Sequence, residues 1–424
     1  MGSASGFAVA PAPRRWASGA LGIASVLIGV AALVTATRGP GAIEQALPES
    51  APPAPVARVA IASAATLPAI TPAPATPGSP TDAGAINGAN PATPISVAVA
   101  DGTVQTVKVT DPRGASVPGE AVKGGWHTTV GLAYGTAYRV DVAAVGADGQ
   151  PVHQTRTVNT VKPALLAYPS FIPAPGQQSV GVGQPLVVKF DHPVTDRAAA
   201  ERALKVTTSP EQPGSWYWIS PSEAHYRGKE YWQPNTTISL HAGMFGVDLG
   251  KGTFGELNRD LTVHVHDSWV AKADGKVEQM QIFHNGALVN TMPISLGSPG
   301  HPSHLGPHVV SDKMPTMTMD SCTYGVCEGD PGYYKEKVDL DLRISNDGEF
   351  VHSAPWSTGQ QGDSNVSHGC VNLSPANAKW FFDHFNVGDV VEITNSGGPA
   401  LPVYDTYGDW ELDWPHWQSG SALR

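Results

Sequence analysis

The chain has 424 residues, which is too long for one ordinary domain and predicts two to four domains. Its formal net charge of −11 argues against nucleic acid as a partner, because phosphate binding requires concentrated lysine and arginine. Charged residues make up only 15% of the chain, whereas glycine and proline are abundant, so we expect a mainly β protein with many turns.

The first element along the chain is an apolar run. Residues 17–37 contain no charged side chain and lie just after Arg14 and Arg15. This pattern indicates either a signal peptide, cleaved near Val34-Thr35-Ala36, or a single membrane anchor. The length of the run favours an uncleaved anchor, so we assign 1–38 to a cytoplasmic tip and a signal anchor. Both alternatives predict an extracytoplasmic protein, either tethered to the plasma membrane in the cell envelope or secreted.

A low-complexity segment follows the apolar run. Residues 39–94 are dominated by alanine, proline, threonine and serine and almost lack aromatic side chains. Such a segment buries too little apolar surface to offset its ordering entropy, so we predict a disordered stalk.

Two blocks of strand-like sequence come next. Alternation of apolar and polar residues, as in Tyr138-Arg-Val-Asp-Val, predicts strands with one buried face in 95–162. The block 163–266 repeats this pattern, with one short helix expected at 194–204. Both blocks are predicted to be immunoglobulin-like β-sandwiches without the disulfide of antibody domains. Because fold does not imply function, we expect them on analogy alone to be spacers or wall-contacting modules.

The remaining sequence is predicted to form a mostly β domain at 267–395 with an extension at 396–424. Its expected strands include 277–284, 348–352 and 390–393, and a helix is expected at 375–384 after Ser374 as N-cap. The extension carries Trp410, Trp414 and Trp417. Because buried tryptophan is mainly a packing residue, we expect the extension to pack on this domain rather than to form a sugar-stacking surface.

The chain has three cysteines, Cys322, Cys327 and Cys370. In an oxidising compartment an odd thiol is either intermolecular or reactive. Cys322 and Cys327 flank a turn-like Thr-Tyr-Gly-Val, which favours a local disulfide between them. Two unpaired thiols in a packed loop are the alternative, because spacing alone does not fix geometry. The disulfide would leave Cys370 as the free thiol.

The surroundings of Cys370 indicate nucleophilic chemistry. It lies in Ser367-His368-Gly369-Cys370-Val371-Asn372, and His352 precedes it in Phe350-Val351-His352-Ser353. A free thiol with a pKa of about 8.5 is mostly protonated at neutral pH, so an imidazole that accepts its proton makes it a nucleophile. Gly369 would let the backbone approach a substrate closely, and neighbouring N–H groups can stabilise an oxyanion. A buried inert thiol and a core histidine are the alternatives.

This pattern resembles the catalytic signature of the L,D-transpeptidases, the YkuD-like family, which cross-link bacterial peptidoglycan. The similarity extends from about Asp267 to the C terminus, and the upstream segments resemble multidomain, membrane-anchored members of actinobacterial type. The resemblance implies that Cys370 is the nucleophile and His352 the base. It also implies that the main-chain carbonyl of Ser353 orients the imidazole.

Neighbouring residues are expected to support this pair. His368 either contributes a main-chain N–H to the oxyanion hole or orients Cys370 through its ring. Family members offer a tyrosine hydroxyl to the oxyanion, which implies Tyr334 here, with the adjacent Tyr333 as the alternative. Other side chains would line the pocket or hold the loop through hydrogen bonds. The residues expected to bind substrate or hold its loop are Tyr334, Trp356, Ser367 and Asn372.

One loop departs from the family pattern. Family members usually carry a Thr-Pro-x-Gly turn ahead of the catalytic part, whereas this chain has His301-Pro-Ser-His304-Leu-Gly306-Pro-His308. Three histidines at this spacing raise the hypothesis of a metal site, but zinc needs further ligands and none is apparent from the sequence. We therefore predict no metal and no cofactor, and a loop near the acyl-donor entrance.

The resemblance implies acyl transfer between peptidoglycan stem peptides. Cys370 would form a thioester with a donor tetrapeptide, and an amine of an acceptor stem would then make a 3→3 cross-link. Carbapenem-type β-lactams are expected to acylate the same thiol. Water as acceptor would make the protein an L,D-carboxypeptidase, and a protein amine would make it a wall-anchoring enzyme. A degenerate catalytic domain would leave a cell-wall binding protein.

Overall fold

The computed structural model describes residues 57–62, 81–82, 84–330 and 333–423. In this part of the chain, 28 strands are accompanied by three α-helices and three short 3₁₀ helices. The strands form two β-sandwiches followed by a third, β-rich domain. The predicted mainly β architecture is therefore confirmed.

The first sandwich is built from nine strands, of which β8 shows the most regular alternation of buried and exposed side chains. Its strands are β1 (Arg58–Ala62), β2 (Thr81–Asp82), β3 (Ile86–Ala89), β4 (Ser96–Ala100), β5 (Gly102–Thr110), β6 (Gly119–Val122), β7 (Gly125–Thr128), β8 (Ala137–Gly146) and β9 (Pro151–Thr160). One sheet has the order β1-β4-β7-β6, and the other has β2-β9-β8-β5 with β3 beside β9. In β8, Tyr138, Val140 and Val142 point into the core, as period-two alternation requires.

The first sandwich begins inside the segment predicted to be a disordered stalk. Strand β1 pairs antiparallel with β4, and Ile61, opposite Val97, is buried in the core. The prediction for 39–94 is therefore corrected for the residues of β1, β2 and β3. The short alternating pattern of β1 is hidden within an alanine- and proline-rich composition. Stalk residues 39–56 and 63–80, and the predicted anchor at 1–38, lie outside the described residues. Among the described helices, none is long and apolar enough to span a membrane.

The second sandwich repeats this architecture with one short helix. Its strands are β10 (Leu165–Ala167), β11 (Pro169–Ile172), β12 (Ser179–Val180), β13 (Leu186–Phe190), β14 (Leu204–Ser209), β15 (Gly214–Ser220), β16 (Glu223–Gly228), β17 (Thr237–Ala242), β18 (Thr253–Gly255) and β19 (Arg259–Val265). Sheets β11-β13-β16-β15 and β12-β19-β17-β14 enclose the core, and β10 pairs with β18. Helix α1 (Arg197–Ala203) falls within the predicted 194–204, and Asp196 caps its N terminus.

The third domain contains two sheets and one helix of ten residues. Its elements are β20 (Trp269–Asp274), β21 (Gln279–His284), β22 (Ala287–Pro293), β23 (Gly306–Val309), β24 (Asp312–Asp320), β25 (Lys335–Arg343), β26 (Phe350–Ser353), β27 (Val371–Leu373), α2 (Pro375–His384) and β28 (Val390–Thr394). The sheets have the orders β22-β21-β20-β28-β23 and β24-β25-β26-β27. Phe381 of α2 packs with Val351 and Val371 in the core, which fixes β26 and β27 side by side. Helix α2 has the predicted bounds and its N-cap is Ser374.

The C-terminal extension crosses from the third domain to the second sandwich. It starts on the third domain, where Leu401 N donates to Leu305 O at 3.0 Å. Helix α3 (Trp414–Ser419) then packs on the second sandwich, with Trp417 stacked on Tyr217. The indole Nε1 of Trp417 donates to Ser215 O at 2.9 Å. The extension was predicted to pack on the third domain, so this placement corrects the expected partner of its tryptophans. Trp417 is fully buried, so its role is that of a packing residue.

Candidate active site

The candidate nucleophile and base lie on neighbouring strands. Strand β26 runs parallel to β27, with His352 opposite Asn372. Cys370 comes directly before β27, two residues ahead of Asn372. Because strand side chains alternate between faces, Cys370 and His352 lie on the same face of this sheet. The sequence analysis selected these two residues, and the fold brings them together.

The turn before β27 is closed by its own polar groups. Ser367 Oγ donates to Cys370 O at 2.7 Å and accepts from Gly369 N at 3.1 Å. From outside the turn, Ser303 Oγ donates to Gly369 O at 2.6 Å. Gly369 has a φ of 120°, a backbone conformation that residues with a Cβ rarely adopt. Serine and glycine at these positions therefore fix the direction in which Cys370 leaves the backbone.

The thiol of Cys370 is buried and is protonated at rest. Its residue is 6% exposed, and Sγ donates to Gly348 O at 3.7 Å. Burial raises the pKa of the thiol to about 12 against an opposing hydrogen bond from the Phe350 backbone, and the carboxylates of Glu349 and Asp341 add smaller rises. A thiol with such a pKa needs a base to become nucleophilic at neutral pH.

His352 has the protonation state and tautomer of a base. Its Nδ1 donates to Ser353 O at 3.0 Å, so a neutral imidazole carries its lone pair on Nε2. Burial lowers the pKa of His352 to about 4, against smaller opposing effects of Ser353 and Asn372. The ring is therefore neutral at pH 7 and free to accept one proton. The contact to the carbonyl of Ser353 is the orienting interaction expected from the sequence.

Asn372 and Trp356 flank the base. Asn372 Nδ2 donates to Ser357 Oγ at 3.0 Å, which ties β27 to the 3₁₀ turn Pro355–Ser357. The Trp356 ring lies 5.9 Å from the His352 ring and is 52% exposed, so it offers an apolar surface beside the base. Asn372 thus holds the loop, and Trp356 lies at the edge of the site.

His368 contacts a group of rings rather than the base. Its ring centroid lies 5.3 Å from that of Tyr334 and 4.8 Å from that of His301. Burial and the neighbouring His301 lower the pKa of His368. Tyr334 also packs against the cluster that contains Cys370, which places it, rather than only the adjacent Tyr333, near the nucleophile. Of the two roles considered for His368, the ring position favours a contribution through its main chain.

A disulfide joins Cys322 to Cys327, the pairing that the sequence analysis preferred, and Cys370 is the free cysteine. The bridged residues follow β24 in the segment that leads to Tyr334. Backbone bonds between Ser321 and Tyr334, with Ser321 N donating to Tyr334 O at 3.0 Å, close the base of this segment. Of this segment, Tyr334 packs against the cluster that contains Cys370.

Sequence reasoning missed two buried carboxyl groups beside the nucleophile. Glu349 is 5% exposed, and a Cβ at Gly369 would lie 3.4 Å from its side chain. Asp341 is fully buried, and burial raises its pKa to about 7, with Asp339 adding to the shift. Neither residue belongs to a motif, and their approach to Cys370 depends on the pairing of β25 with β26. An acidic residue directly before the apolar Phe350-Val351 was the one available signal for Glu349.

Comparisons with known proteins agree with this arrangement. A profile described as L,D-transpeptidase catalytic domain matches residues 269–393, and one described as bacterial Ig domain matches 86–248. L,D-transpeptidase 2 of Mycobacterium tuberculosis (strain CDC 1551 / Oshkosh) is 40% identical over 331 residues, which cover 78% of this chain and 81% of that protein. L,D-transpeptidase 5 of strain ATCC 25618 / H37Rv is 35% identical over 343 residues, covering 78% and 74% respectively. A solved L,D-transpeptidase in complex with imipenem is 36% identical, covers 55% of this chain and 100% of its own, and has a TM-score of 0.48.

Proposed function

The chain belongs to the L,D-transpeptidase family, and from this we propose that it joins peptidoglycan stem peptides by 3→3 cross-links through a thioester on Cys370. The contact that carries the proposal is the hydrogen bond from His352 Nδ1 to Ser353 O at 3.0 Å. It leaves Nε2 as the proton acceptor on the strand face that also holds Cys370. A buried thiol beside a neutral, oriented imidazole suits acyl transfer.

The first half-reaction forms the acyl-enzyme. Cys370 Sγ attacks the carbonyl between the third and fourth residues of a donor tetrapeptide while its proton passes to His352 Nε2. The carbon–nitrogen bond then breaks, and the imidazolium returns the proton to the leaving amine of D-alanine. The products are a thioester and free D-alanine. Main-chain N–H groups of the turn other than that of Gly369, which donates to Ser367 Oγ, are the groups we assign to the oxyanion together with the Tyr334 hydroxyl.

The second half-reaction transfers the acyl group. An amine of the acceptor stem, which the family resemblance assigns to diaminopimelate, attacks the thioester carbonyl and gives up its proton to His352. The carbon–sulfur bond breaks, an amide forms, and the proton returns to Cys370. Two stems are joined with the net loss of one D-alanine.

We further propose that carbapenems acylate Cys370. Attack of Sγ on the β-lactam carbonyl would break the ring carbon–nitrogen bond, and the ring nitrogen would take the proton from His352. The solved relative in complex with imipenem is consistent with this chemistry in the family.

We also propose that the protein acts in the cell envelope, tethered by the apolar run at 17–37. The Cys322–Cys327 disulfide supports an extracytoplasmic location, because disulfides persist in oxidising compartments. Membrane fractionation of the full chain tests the tether. Recovery in a membrane pellet after an alkaline wash is expected, whereas recovery in the soluble fraction would favour a cleaved signal.

Transpeptidation is tested with the purified full chain, a disaccharide-tetrapeptide and mass spectrometry. We expect a dimer with the mass of two stems minus one D-alanine. The variant Cys370→Ala should give no dimer, and His264→Gln, which changes an exposed histidine of the second sandwich, should behave like the parent. Release of D-alanine without a dimer would replace the proposal with L,D-carboxypeptidase activity. No reaction in the parent would favour a cell-wall binding protein.

A further inference from the structure

A loop closed by a disulfide lies between β24 and β25, outside the catalytic motif. We refer to residues 322–330 as the bridged loop, in which the disulfide joins Cys322 to Cys327. Cys322 N donates to Asp320 Oδ1 at 3.0 Å. At the other end of the bridge, Cys327 N donates to Asp330 Oδ2 at 2.8 Å. Neighbouring carboxylates therefore fix the backbone at both ends of the disulfide.

Apolar burial contributes little to the conformation of the bridged loop. None of its residues whose side chains the structure describes is buried, and Cys322, Thr323 and Glu328 are exposed. A segment with few buried apolar contacts belongs to the less stable parts of a fold and opens locally unless other bonds hold it. The conformation of this loop therefore depends on its covalent bridge and on its hydrogen bonds.

Ser321, the residue before the bridged loop, joins this loop to the site. It is fully buried and exchanges two hydrogen bonds with Tyr334: its N donates to Tyr334 O at 3.0 Å, and its Oγ accepts from Tyr334 N at 2.9 Å. It exchanges two more with Val326, whose N donates to Ser321 O at 3.1 Å and whose O accepts from Ser321 Oγ at 2.8 Å. A hydroxyl has one proton and two lone pairs, so one Oγ can serve both neighbours. The residue beside Cys327 is thus coupled to Tyr334 through a single hydroxyl group.

Tyr334 is the first residue beyond the paired part of β24 and β25. The last pair of that ladder is Asp320 with Lys335, so Tyr334 does not belong to it. Two hydrogen bonds to Ser321 hold its backbone, and its side chain packs against the cluster that contains Cys370. An oxyanion donor acts at about 2.7–3.1 Å, and a misplacement of about 1 Å can lower a rate about 10²-fold. The bonds made by Ser321 therefore decide where the Tyr334 hydroxyl can act.

We propose that Ser321 is a positioning residue for the Tyr334 hydroxyl. The disulfide supports this role, because it fixes Val326 O as the acceptor of the Ser321 proton and leaves the lone pairs of Oγ for Tyr334 N. The rate of acylation therefore depends on a bridge whose sulfur atoms take no part in the reaction. This inference rests on the proposed function, in which the Tyr334 hydroxyl stabilises the oxyanion.

The test measures acylation of the purified full chain by imipenem, with stopped-flow recording of β-lactam ring opening. The maximal rate and the half-saturating concentration are determined for Ser321→Ala, Tyr334→Phe and the pair Cys322→Ser/Cys327→Ser. Ser321→Ala and the cysteine pair are also measured in the Tyr334→Phe background. Thr318→Ala is the matched control, because Thr318 is an exposed residue of the same hairpin whose hydroxyl makes none of these hydrogen bonds.

We expect Tyr334→Phe to lower the maximal rate about 10²-fold or more, because it removes one oxyanion donor. Ser321→Ala and the cysteine pair should each lower this rate at least about tenfold, with a far smaller change in the half-saturating concentration. In the Tyr334→Phe background, neither change should lower the rate further by more than about twofold, because the hydroxyl that they position is gone. The control should match the parent.

Parental rates in Ser321→Ala and in the cysteine pair would overturn the proposal. Equal losses with and without the Tyr334 hydroxyl would also overturn it, because they would show a general structural role. A parental rate in Tyr334→Phe would remove both this proposal and the assignment of Tyr334 to the oxyanion, and would leave Cys370 and His352 as the reacting pair. Normal ring opening without a cross-linked dimer in the parent would refute transpeptidation and leave this proposal standing. If Ser321→Ala fails to fold, as judged by circular dichroism, the cysteine pair decides the result, because it changes no buried residue.

Discussion

Acylation of Cys370 should depend on the protonation of His352 and hardly at all on preformed thiolate. With a pKa of about 12, the thiol would be only about 0.001% ionised at pH 7, against about 3% for an ordinary thiol. Direct attack by free thiolate is thus suppressed more than a thousandfold. The reaction has to pass the proton to His352 Nε2 as the carbon–sulfur bond forms.

The pH profile follows from the lowered pKa of that base. An ordinary imidazole with a pKa of about 6.5 would be roughly three-quarters protonated at pH 6 and would lose most of its activity as a base. His352, with a pKa of about 4, remains almost entirely neutral at pH 6. We therefore expect the acylation rate to stay near its plateau down to about pH 5 and to fall as the pH approaches 4.

Stopped-flow measurement of β-lactam ring opening by imipenem, at constant ionic strength, reports this rate. The variant His352→Gln should lower it by about 10²–10⁴-fold at all pH values above 5, which is the usual effect of removing a general base. The exposed His264→Gln provides the matched control. A midpoint near pH 6.5 in the parent would refute the reasoning, because it would show that the base titrates as an ordinary imidazole and that burial does not lower its pKa.

Three further predictions concern stability. Burial alone would lower the pKa of His225, but Asp409 and Glu223 together outweigh burial and raise the pKa to about 9. The stabilising charge of His225 is therefore complete below pH 6.5 and is lost as pH rises through 9; calorimetry should show Tm falling over that interval, and less so in His225→Gln. Replacing Cys322 and Cys327 by serine should destabilise their loop by about 2 kcal/mol, seen as faster hydrogen exchange there and not in α2. Trp417→Ala empties a fully buried position and should cost about 3–5 kcal/mol in urea unfolding; a cost below 1 kcal/mol would contradict the described packing.

The parts of the structure that the sequence predicted are those encoded locally. Helix α2 is bounded by a serine cap and by the end of its apolar spacing, so both ends are visible in adjacent residues. The turn from Ser367 to Cys370 is likewise a short contiguous motif. In the strands of the sandwiches, apolar and polar residues alternate, and this period of two indicates a strand with one buried face. The fold class could therefore be inferred from the sequence.

The parts that could not be predicted depend on long-range pairing. Strand β1 has five residues in an alanine- and proline-rich background, and only its pairing with β4 makes it a strand. The tryptophans of the extension indicated burial but not the surface that buries them. Arg227 decides that choice, because its guanidinium lies 4.4 Å from the centre of the Trp417 ring and donates to Asp409 O at 3.1 Å. Nothing in the sequence around Arg227 indicates that this buried arginine of the second sandwich packs against the C-terminal extension.

Most residues of the catalytic motif stabilise the local fold, and in this way they position the thiol of Cys370. Ser367 uses its hydroxyl to close the turn, and Asn372 uses its amide to hold Ser357. Gly369 supplies a backbone conformation and accepts a hydrogen bond from Ser303, 66 residues away. These polar groups are occupied by structural bonds, so they are not available as acids or bases. The chemistry is therefore concentrated in Cys370 and His352, and the surrounding residues act by fixing the positions of these two groups.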